Sequence, residues 1–594
     1  MKNHPLPLAP LTRAQKALLA AILLLALIVR LWGIDFGLPY VYHPDEPNYV
    51  RMVVTMIQSG DLNPHFFNFP SFLFYANALA YQPYYWIGKL VGAFESTEDI
   101  TAPQMNAMAS GITETPGTFI VGRMVTLLLG LITVWLVYLA ARALTGNTWT
   151  ALLATLFAAI SPTGAMHSHF ITPDIPQVFW VMLAFWGAVK IYRQGGWQHY
   201  LVAGLAVGAA ASTKYHGVLV LVAVLLAHLM RYGNDMNALF APKLYLALTA
   251  SAVAFFTITP YALLDFAAFE RGVTYEGKHY AQGHLGMEGN TFSWCLAYLW
   301  RIEGPLVILA LLEIVRGITV RRAKETLLLA AFPITFYLFI NCFTIRNDRT
   351  LLPVLPFVAI LAASWLMARF QERPPRADSF VSLGVTALLL VLSIVLPAAG
   401  LIKTDFYLYY PDSAIINRTA WLPALWFLIG LLILLAAQTL LMVRQENPAW
   451  RSSGLIATGL IGLTALALPL AQTVKANLEL TATDSRETAR VWILENLPGG
   501  ARIAVESYAP YVDPMRFWVE GQGRMIEHDP KWYLDRDFEY LVFSQRMFMR
   551  FYRDPEMYRK QIEQYDRLFE HFELLKTLTD GEYEVRIYKT GIYD

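Results

Sequence analysis

Apolar stretches of about 20 residues recur along most of the 594-residue chain. A stretch of this length is long enough, as a helix, to cross the hydrocarbon core of a membrane. Such windows lie at approximately 15–33, 118–141, 148–165, 174–192, 199–213, 215–231, 243–262, 292–315, 325–343, 350–369, 379–400, 420–443 and 452–474. They predict a polytopic α-helical membrane protein with about 13 transmembrane helices.

The composition supports this prediction and excludes one class of partner. Hydrophobic residues make up 56% of the chain and charged residues only 15%, whereas soluble domains average about 25% charged residues. The 46 Lys and Arg nearly balance the 45 Asp and Glu, which leaves a formal net charge of +1. A nucleic-acid-binding protein would show a basic face or stripe, so we expect no nucleic-acid partner.

Basic residues mark one side of the predicted spans. Lys and Arg in short loops are retained on the cytoplasmic side. With the amino terminus inside, every predicted inner loop is basic; the first two hold Arg142, and Lys190 with Arg193. An odd number of spans then places the carboxyl terminus outside. We therefore expect a multi-pass protein of the plasma (inner) membrane whose long first loop, 34–117, is extracytoplasmic.

One apolar segment, 70–94, does not fit this alternation. Asn77, Gln82, Pro83 and Lys89 interrupt it, and counting it as a span would place the later basic loops outside. Its aromatic residues suit the headgroup zone of a membrane. We predict an amphipathic helix in the outer interface.

The composition changes after Lys475, where charged residues become frequent and the apolar windows end. Helix and strand patterns alternate from there, with helices at 483–497 and 555–569 and strands at 502–506, 540–543 and 583–588. This alternation is typical of a small α/β domain. We predict a transmembrane domain over 1–475 and a soluble extracytoplasmic α/β domain over 476–594.

The long first loop begins with acidic and aromatic residues, among them Tyr42, His43, Asp45 and Glu46. Asp often caps a helix, and a short helix is expected after Asp45, so capping alone is one interpretation of that residue. The acidic cluster beside His43 favours function. We assign Asp45 and Glu46 as catalytic carboxylates, and Tyr42 and His43 as contacts to a substrate.

A second acidic site precedes the fourth span, where Asp174 follows a segment that contains two histidines. An ionisable group at the edge of the apolar layer costs free energy and is by default a functional hypothesis. We predict Asp174 as a second catalytic carboxylate on the same face as Asp45, and His169 as a substrate contact. Helix capping by Thr172 or Asp174, and metal binding by His167 and His169, stay open as alternatives.

Basic groups also gather on the predicted outer side. Lys214 and Tyr215 lie between the fifth and sixth spans, and Arg346 and Arg349 lie before the tenth. Their charge runs against the positive-inside rule, and a bound anion would explain the exception, since Arg and Lys both bind phosphate. Snorkelling to headgroups and pairing with Asp348 are the alternatives.

The outer loop at 265–290 is polar and contains several glycines. We assign His279 and Tyr280 in this loop as substrate contacts. The composition predicts a mobile segment that could close over a substrate; taken alone, it would be only a polar loop.

Together these residues predict a group transfer at the membrane surface. One carboxylate can act as base on an incoming hydroxyl or amine, while the other positions that group or a metal. Lys and Arg would stabilise the charge that grows on a departing phosphate. A sugar on a lipid-phosphate carrier fits, because its leaving group lies at the headgroup plane, where these residues gather.

Four short motifs resemble the C superfamily of membrane glycosyltransferases (GT-C), especially the branch of protein O-mannosyltransferases and the lipid A aminoarabinose transferase. They are Tyr42-His43-Pro44-Asp45-Glu46-Pro47, Thr172-Pro173-Asp174, Thr213-Lys214-Tyr215 and Arg349-Thr350-Leu351-Leu352-Pro353-Val354-Leu355-Pro356, within roughly the first 370 residues. The resemblance implies a GT-C fold and a glycosyltransferase that moves a sugar from polyprenyl phosphate to a lipid, glycan or protein by inverting displacement. It also implies a catalytic role for Asp45, with Asp174 as the second carboxylate.

The chain departs from that branch in its first loop. The aminoarabinose transferases carry a basic residue shortly after the acidic pair and another before the interfacial helix, where this chain has Asn48 and 69–70 (Phe-Pro). We therefore assign the carrier phosphate to Lys214, Arg346 and Arg349.

Two other functions stay open. A transporter or flippase of lipid-linked sugars is one alternative, although transporters typically show repeats and charges at the bilayer midplane. The oligosaccharyl-transferring branch of the superfamily, which uses a divalent metal and a peptide acceptor, is the other; its Trp-Trp-Asp signature does not occur in the predicted outer domain. No cofactor is assigned, and a divalent cation (Mg²⁺ or Mn²⁺) at Asp45 and Asp174 stays open.

Overall fold

The apolar part of the chain is almost entirely helical. The computed structural model describes residues 9–233, 236–319, 323–371, 376–401, 406–407, 415–416, 422–443, 449–579 and 584–591. The helices of this part are α1 (Arg13–Leu31), α2 (Glu46–Ser59), α3 (Phe72–Leu90), α4 (Pro116–Thr145), α5 (Thr148–Ala159), α6 (Pro162–Met166), α7 (Asp174–Arg193), α8 (Trp197–Ala211), α9 (Leu221–Tyr232), α10 (Pro242–Ile258), α11 (Tyr261–Leu264), α12 (Phe266–Gln282), α13 (Thr291–Ile302), α14 (Gly304–Thr319), α15 (Ala323–Ile340), α16 (Leu355–Gln371), α17 (Arg376–Ala398), α18 (Leu422–Val443) and α19 (Ala449–Thr481).

A polytopic helical membrane protein is confirmed, but the count of about 13 spans is not. Within the described residues, nine helices are long and apolar enough to cross a membrane. The number rises to 11 if the bent pairs α5–α6 and α13–α14 each count as one span. Helices α8 and α10, with 15 and 17 residues, reach only about 22 and 26 Å at 1.5 Å per residue, short of the roughly 30 Å hydrocarbon core.

Helix α8 packs closely on α10 through two small residues. A Cβ atom added at Gly204 would lie 2.2 Å from the Ala247 carbonyl oxygen, and one at Gly208 would lie 2.1 Å from that of Ser251. Small residues spaced four apart let helix backbones approach in membrane proteins. This packing fixes the end of α8, and with it the position of Lys214 three residues beyond.

The first loop is folded rather than extended. Besides α2 and α3 it contains strands β1 (Tyr40–Val41), β2 (Gln104–Ala107) and β3 (Ser110–Ile112), in the order β1-β3-β2. Helix α3 is not among the candidate spans. It buries Phe74 and Tyr81 against the protein and leaves Leu79 and Leu90 exposed, as an interfacial helix would.

The carboxyl-terminal part forms a mixed sheet covered by helices. Two-residue strands β4 (Phe406–Tyr407) and β5 (Ile415–Ile416) precede it. Its elements are α20 (Ser485–Asn496), β6 (Arg502–Glu506), β7 (Trp518–Gln522), α21 (Pro530–Leu534), β8 (Tyr540–Ser544), α22 (Gln545–Tyr552), α23 (Arg559–His571), β9 (Glu573–Leu578) and β10 (Val585–Lys589). The sheet order is β7-β6-β8-β10-β9, with β6 parallel to β7 and β8, and β10 antiparallel to its neighbours. Strands β7 and β9 lie where no strand was predicted, and residue 583 of the last predicted strand lies outside the described residues.

This domain docks on the first loop. The Tyr508 amide donates to the Met108 carbonyl at 2.8 Å, and the Ser110 hydroxyl donates to the Pro510 carbonyl at 2.8 Å. The Arg486 guanidinium donates to the Tyr42 carbonyl at 3.1 Å. The contacts hold β1, which ends two residues before His43, and its neighbouring strand β3 in place.

Candidate active site

Asp45 forms an ion pair with Arg349, which lies 304 residues later in the chain. The Asp45 side chain does not cap α2, although Asp45 precedes that helix. Instead, His43 Nδ1 accepts the backbone amides of Asp45 and Glu46 at 3.1 and 3.3 Å. His43 thus accepts the free amides at the start of α2, and the Asp45 carboxylate points to Arg349 instead. The Asp45 side chain stays 31% exposed, within reach of a ligand.

The protonation states of His43 and Asp45 follow from their surroundings. Burial lowers the pKa of His43 to about 4, so the ring is neutral near pH 7 and can accept both amides. Desolvation alone would raise the pKa of Asp45, but Arg349, through both its charge and its hydrogen bond, and His43 together outweigh it, so the pKa lies below its usual value. Asp45 is therefore an anion at neutral pH.

Asp174 forms a second ion pair with Lys214. The Lys214 ammonium donates to Asp174 Oδ1 at 2.5 Å, and the two side chains are only 5% and 1% exposed. Asp174 is the first residue of α7, but neither it nor the buried Thr172 hydroxyl caps this helix. The capping alternative is therefore not observed for either acidic site.

The two ion pairs meet around Arg349. Its charge acts on both Asp45 and Asp174. Arg349 Nε and Asp174 Oδ2 are both buried and make no hydrogen bond to any described residue. A buried polar atom without a partner costs about 1–3 kcal/mol, so this donor and this acceptor each leave a hydrogen bond unmade beside the two ion pairs.

A cavity of about 180 Å³ opens beside Lys214. Its walls are mostly apolar or aromatic, and its polar side chains include Lys214, Glu276, Tyr280 and Asn347. The lining residues are Asn68, Phe69, Pro70, Lys214, Tyr215, His216, Val273, Glu276, Gly277, Tyr280, Thr291, Cys295, Phe339, Ile340, Phe343, Ile345, Asn347 and Thr350. An apolar cavity with one cation at its wall fits an amphiphile with an anionic head.

The predicted mobile loop at 265–290 is a helix over most of its length. Asp265 caps α12 by accepting the Ala268 amide at 3.3 Å, a signal that the polar composition obscured. Val273, Glu276 and Tyr280 have helical spacing and share the face toward the cavity. Sequence reasoning selected Tyr280 but missed Glu276, which this spacing could have identified.

Glu46 lies outside the cavity and is completely buried. Arg123 Nε and Nη2 donate to its two carboxylate oxygens at 2.9 and 2.8 Å, and the Ile171 amide donates at 3.0 Å. Arg123 also donates to the Ile34 and Phe36 carbonyls. The pair ties the first loop to α4, and Arg123 is a further residue that sequence reasoning missed.

Four other predicted substrate contacts are held by the protein itself. The Tyr42 ring lies 3.8 Å from the Arg486 guanidinium. His169 is buried and hydrogen-bonds backbone carbonyls, including that of Trp32 at 3.0 Å. Arg346 Nε donates to the Met287 carbonyl at 3.3 Å, and His279 stacks on Tyr275. None of the four is among the residues that line the cavity.

The placed residues do not fit a divalent cation. In the part of the chain that the structure describes, no three His, Cys, Asp or Glu side chains come together as a metal site. Asp45 and Asp174 each already have a basic partner. His167 Nε2 lies 3.4 Å from Asp348 Oδ2, whereas the ring nitrogens of His169 hydrogen-bond backbone carbonyls. The two histidines therefore do not face one common metal position.

Comparison with known families identifies one segment. Residues 103–261 match the family described as dolichyl-phosphate-mannose-protein mannosyltransferase, and this segment contains Arg123, Asp174 and Lys214. Curated protein sequences give no match.

Solved structures extend the similarity to the whole chain. ArnT from Cupriavidus metallidurans bound to undecaprenyl phosphate gives a TM-score of 0.50 at 16% identity, over 98% of this chain and 100% of that one. The apo oligosaccharyltransferase of Archaeoglobus fulgidus gives 0.48 at 12% identity, over 90% and 70%. The S. cerevisiae protein O-mannosyltransferase complex bound to the sugar donor gives 0.33 at 19% identity, over 48% and 37%. The chain is thus a multi-pass integral membrane protein with the GT-C fold, and its predicted resemblance to the branch of protein O-mannosyltransferases and the lipid A aminoarabinose transferase is confirmed.

Proposed function

We propose that this protein is a glycosyltransferase that moves a sugar from a polyprenyl-phosphate carrier to a lipid, glycan or protein acceptor on the extracytoplasmic face of the plasma (inner) membrane. One observation carries the proposal: the pairs Asp45–Arg349 and Asp174–Lys214 meet beside an apolar cavity, and Arg349 Nε and Asp174 Oδ2 have no hydrogen-bond partner among the described residues. The family match supports the reaction class. The similar fold of a protein bound to undecaprenyl phosphate supports the donor class.

The donor occupies the cavity with its polyprenyl chain along the apolar wall. Its phosphate lies at Lys214 and Arg349, whose charges stabilise the leaving group as the glycosidic bond breaks. Because the phosphate competes for Arg349, Asp45 loses part of the ion pair that holds its pKa low. The carboxylate becomes a stronger base when the donor is bound.

Asp45 then accepts a proton from the acceptor hydroxyl or amine, which attacks the anomeric carbon. The carbon–oxygen bond to phosphate breaks with its electron pair on oxygen, and the configuration inverts. Asp174 holds Lys214 through Oδ1 and can orient the acceptor through Oδ2. Glu46 positions the loop that bears Asp45 and takes no part in the proton transfer, because it is fully buried against Arg123.

The experiment is an assay of polyprenyl-phosphate release. Purified full-length protein in nanodiscs is incubated with polyprenyl-phosphate sugars and a fractionated extract of membrane acceptors. We expect free polyprenyl phosphate to accumulate together with a glycosylated acceptor. Movement of the intact donor across liposomes without release would instead support a transporter or flippase.

Replacing Lys214 by glutamine is expected to raise the KM for the donor by about 10- to 100-fold, since a hydrogen bond to a charged group contributes about 1.5–3 kcal/mol. The measurement is initial rate against donor concentration. Lys278→Gln is the matched control, because Lys278 lies on α12 but is exposed. An unchanged KM in Lys214→Gln would remove Lys214 from phosphate binding.

Activity is expected to persist after chelation of divalent cations, because the carboxylates that could bind a metal are neutralised by Lys214 and Arg349. Turnover is measured before and after dialysis against EDTA, with added Mg²⁺ or Mn²⁺ as the restoration control. A loss that either metal restores would show that the two acids work through a cation.

A further inference from the structure

Glu276 is the single carboxylic acid among the described residues that line the cavity. It lies on α12 between Val273 and Tyr280, on the face directed to Lys214. It is less exposed than Tyr275 and Gly277 on either side. Neither of the two ion pairs described above includes it.

The charge of the site makes an ionised Glu276 unfavourable. Lys214 and Arg349 are neutralised by Asp174 and Asp45, so a third carboxylate would give the cluster a net charge of −1. Like charges at a buried site disfavour the ionised form. A protonated Glu276 leaves the cluster neutral and presents an O–H donor to the cavity.

The reaction itself calls for such a donor. The sugar–phosphate–lipid diester carries one negative charge, and the phosphate monoester that leaves carries up to two. The extra charge develops on the oxygen released from the anomeric carbon. A monoester has a second pKa of about 6, so a proton supplied at that moment removes the additional charge from an apolar cavity.

We propose that Glu276 is a catalytic residue that donates its proton to the departing phosphate, an inference that rests on the proposed function. The bond between the anomeric carbon and the phosphate oxygen breaks as the Glu276 O–H proton passes to the phosphate. The lipid leaves as a hydrogen phosphate monoanion and Glu276 becomes a carboxylate. Asp45 holds the proton from the acceptor, and that proton returns to Glu276 or is lost to water before the next turnover.

The surroundings of Glu276 bring its pKa close to that of the phosphate monoester that it protonates. Burial raises the pKa of Glu276 to about 7, and Asp45 adds to the increase, while Lys214 and Arg349 oppose it. An acid is most effective when its pKa lies near the working pH and near that of the group that it protonates. The titratable groups around it are Lys214, Tyr215, His216, Tyr280 and Cys295 on the cavity wall, and Arg349, Asp45 and Tyr49 beside it.

Glu276→Gln tests this assignment, since the amide keeps the shape but cannot transfer a proton. In the wild type, kcat is expected to fall as pH rises through about 7, where Glu276 loses its proton. In Glu276→Gln we expect a kcat about 100-fold lower, without the decline near pH 7 and with the donor KM within twofold. Glu270→Gln is the control, because Glu270 lies on the exposed face of the same helix.

Two results would overturn the assignment. One is a wild-type kcat and pH profile in Glu276→Gln; the other is an equal loss at every pH that leaves the profile unchanged, which would show a role in packing or binding. Thermal melting of each purified variant separates misfolding from a catalytic loss, and Glu276→Asp, which keeps the acid, is expected to retain the pH dependence. If the wild type itself releases no polyprenyl phosphate, the proposed function fails rather than this assignment alone.

Discussion

Asp45→Asn is expected to lower kcat for polyprenyl-phosphate release by about 10²- to 10⁴-fold, the usual contribution of a general base. The amide cannot accept a proton from the acceptor, although it fills the same space. The KM for the donor should stay the same or fall, because Arg349 loses its anionic partner and is free to bind phosphate. Single-turnover rates with saturating donor separate this loss of chemistry from a loss of binding.

Glu114→Gln is the matched control for Asp45→Asn, because Glu114 belongs to the same loop and is exposed. Its turnover should equal that of the wild type. If Asp45→Asn keeps its full turnover, Asp45 is not the base, and Asp174, which is the acid paired with Lys214, becomes the candidate.

Arg123→Met is expected to destabilise the folded protein by about 3–5 kcal/mol, because it leaves Glu46 charged and completely buried without its partner. The first loop also loses the hydrogen bonds from Arg123 to the Ile34 and Phe36 carbonyls. The measurements are the yield of monodisperse protein and its melting temperature in detergent. Activity should fall with them, since Asp45 is adjacent to Glu46.

The matched control is Arg559→Ala, which removes one partner of the exposed pair with Glu563. Exposed ion pairs contribute little to the free energy of unfolding, so the melting temperature of this variant should barely change. The double variant Arg123→Met with Glu46→Leu should regain part of the lost stability, because no unpaired charge remains. Equal melting temperatures for Arg123→Met and the wild type would show that the buried pair does not hold the loop.

The sequence predicted local structure well where a run of apolar residues dominates the pattern. Each apolar window corresponds to a helix or a bent pair of helices, because a run of apolar residues has one stable form in lipid. The count of about 13 spans is not confirmed, since α8 and α10 have only 15 and 17 residues. In the carboxyl-terminal domain it found β6 and α20 but missed β7 and β9, whose alternation is weak.

The candidate site was likewise predicted in part from the sequence. Chemistry at helix ends was enough to select Asp45, Asp174, Lys214 and Arg349, and the structure brings these four together. Sequence reasoning also selected Arg346 and His169, which the fold directs to backbone carbonyls. A residue type shows which chemistry is available, whereas the direction of its side chain depends on the elements packed around it.

The sequence by itself determined that the chain is a multi-pass helical membrane protein and that acids and cations gather at its helix ends. Both follow from the local cost of placing polar groups in lipid. Only the tertiary structure decided which acid pairs with which cation, that Glu46 is locked against Arg123, and that Glu276 lines the cavity. Those pairings join residues up to 304 positions apart, and such long-range contacts are set by helix packing rather than by any local pattern.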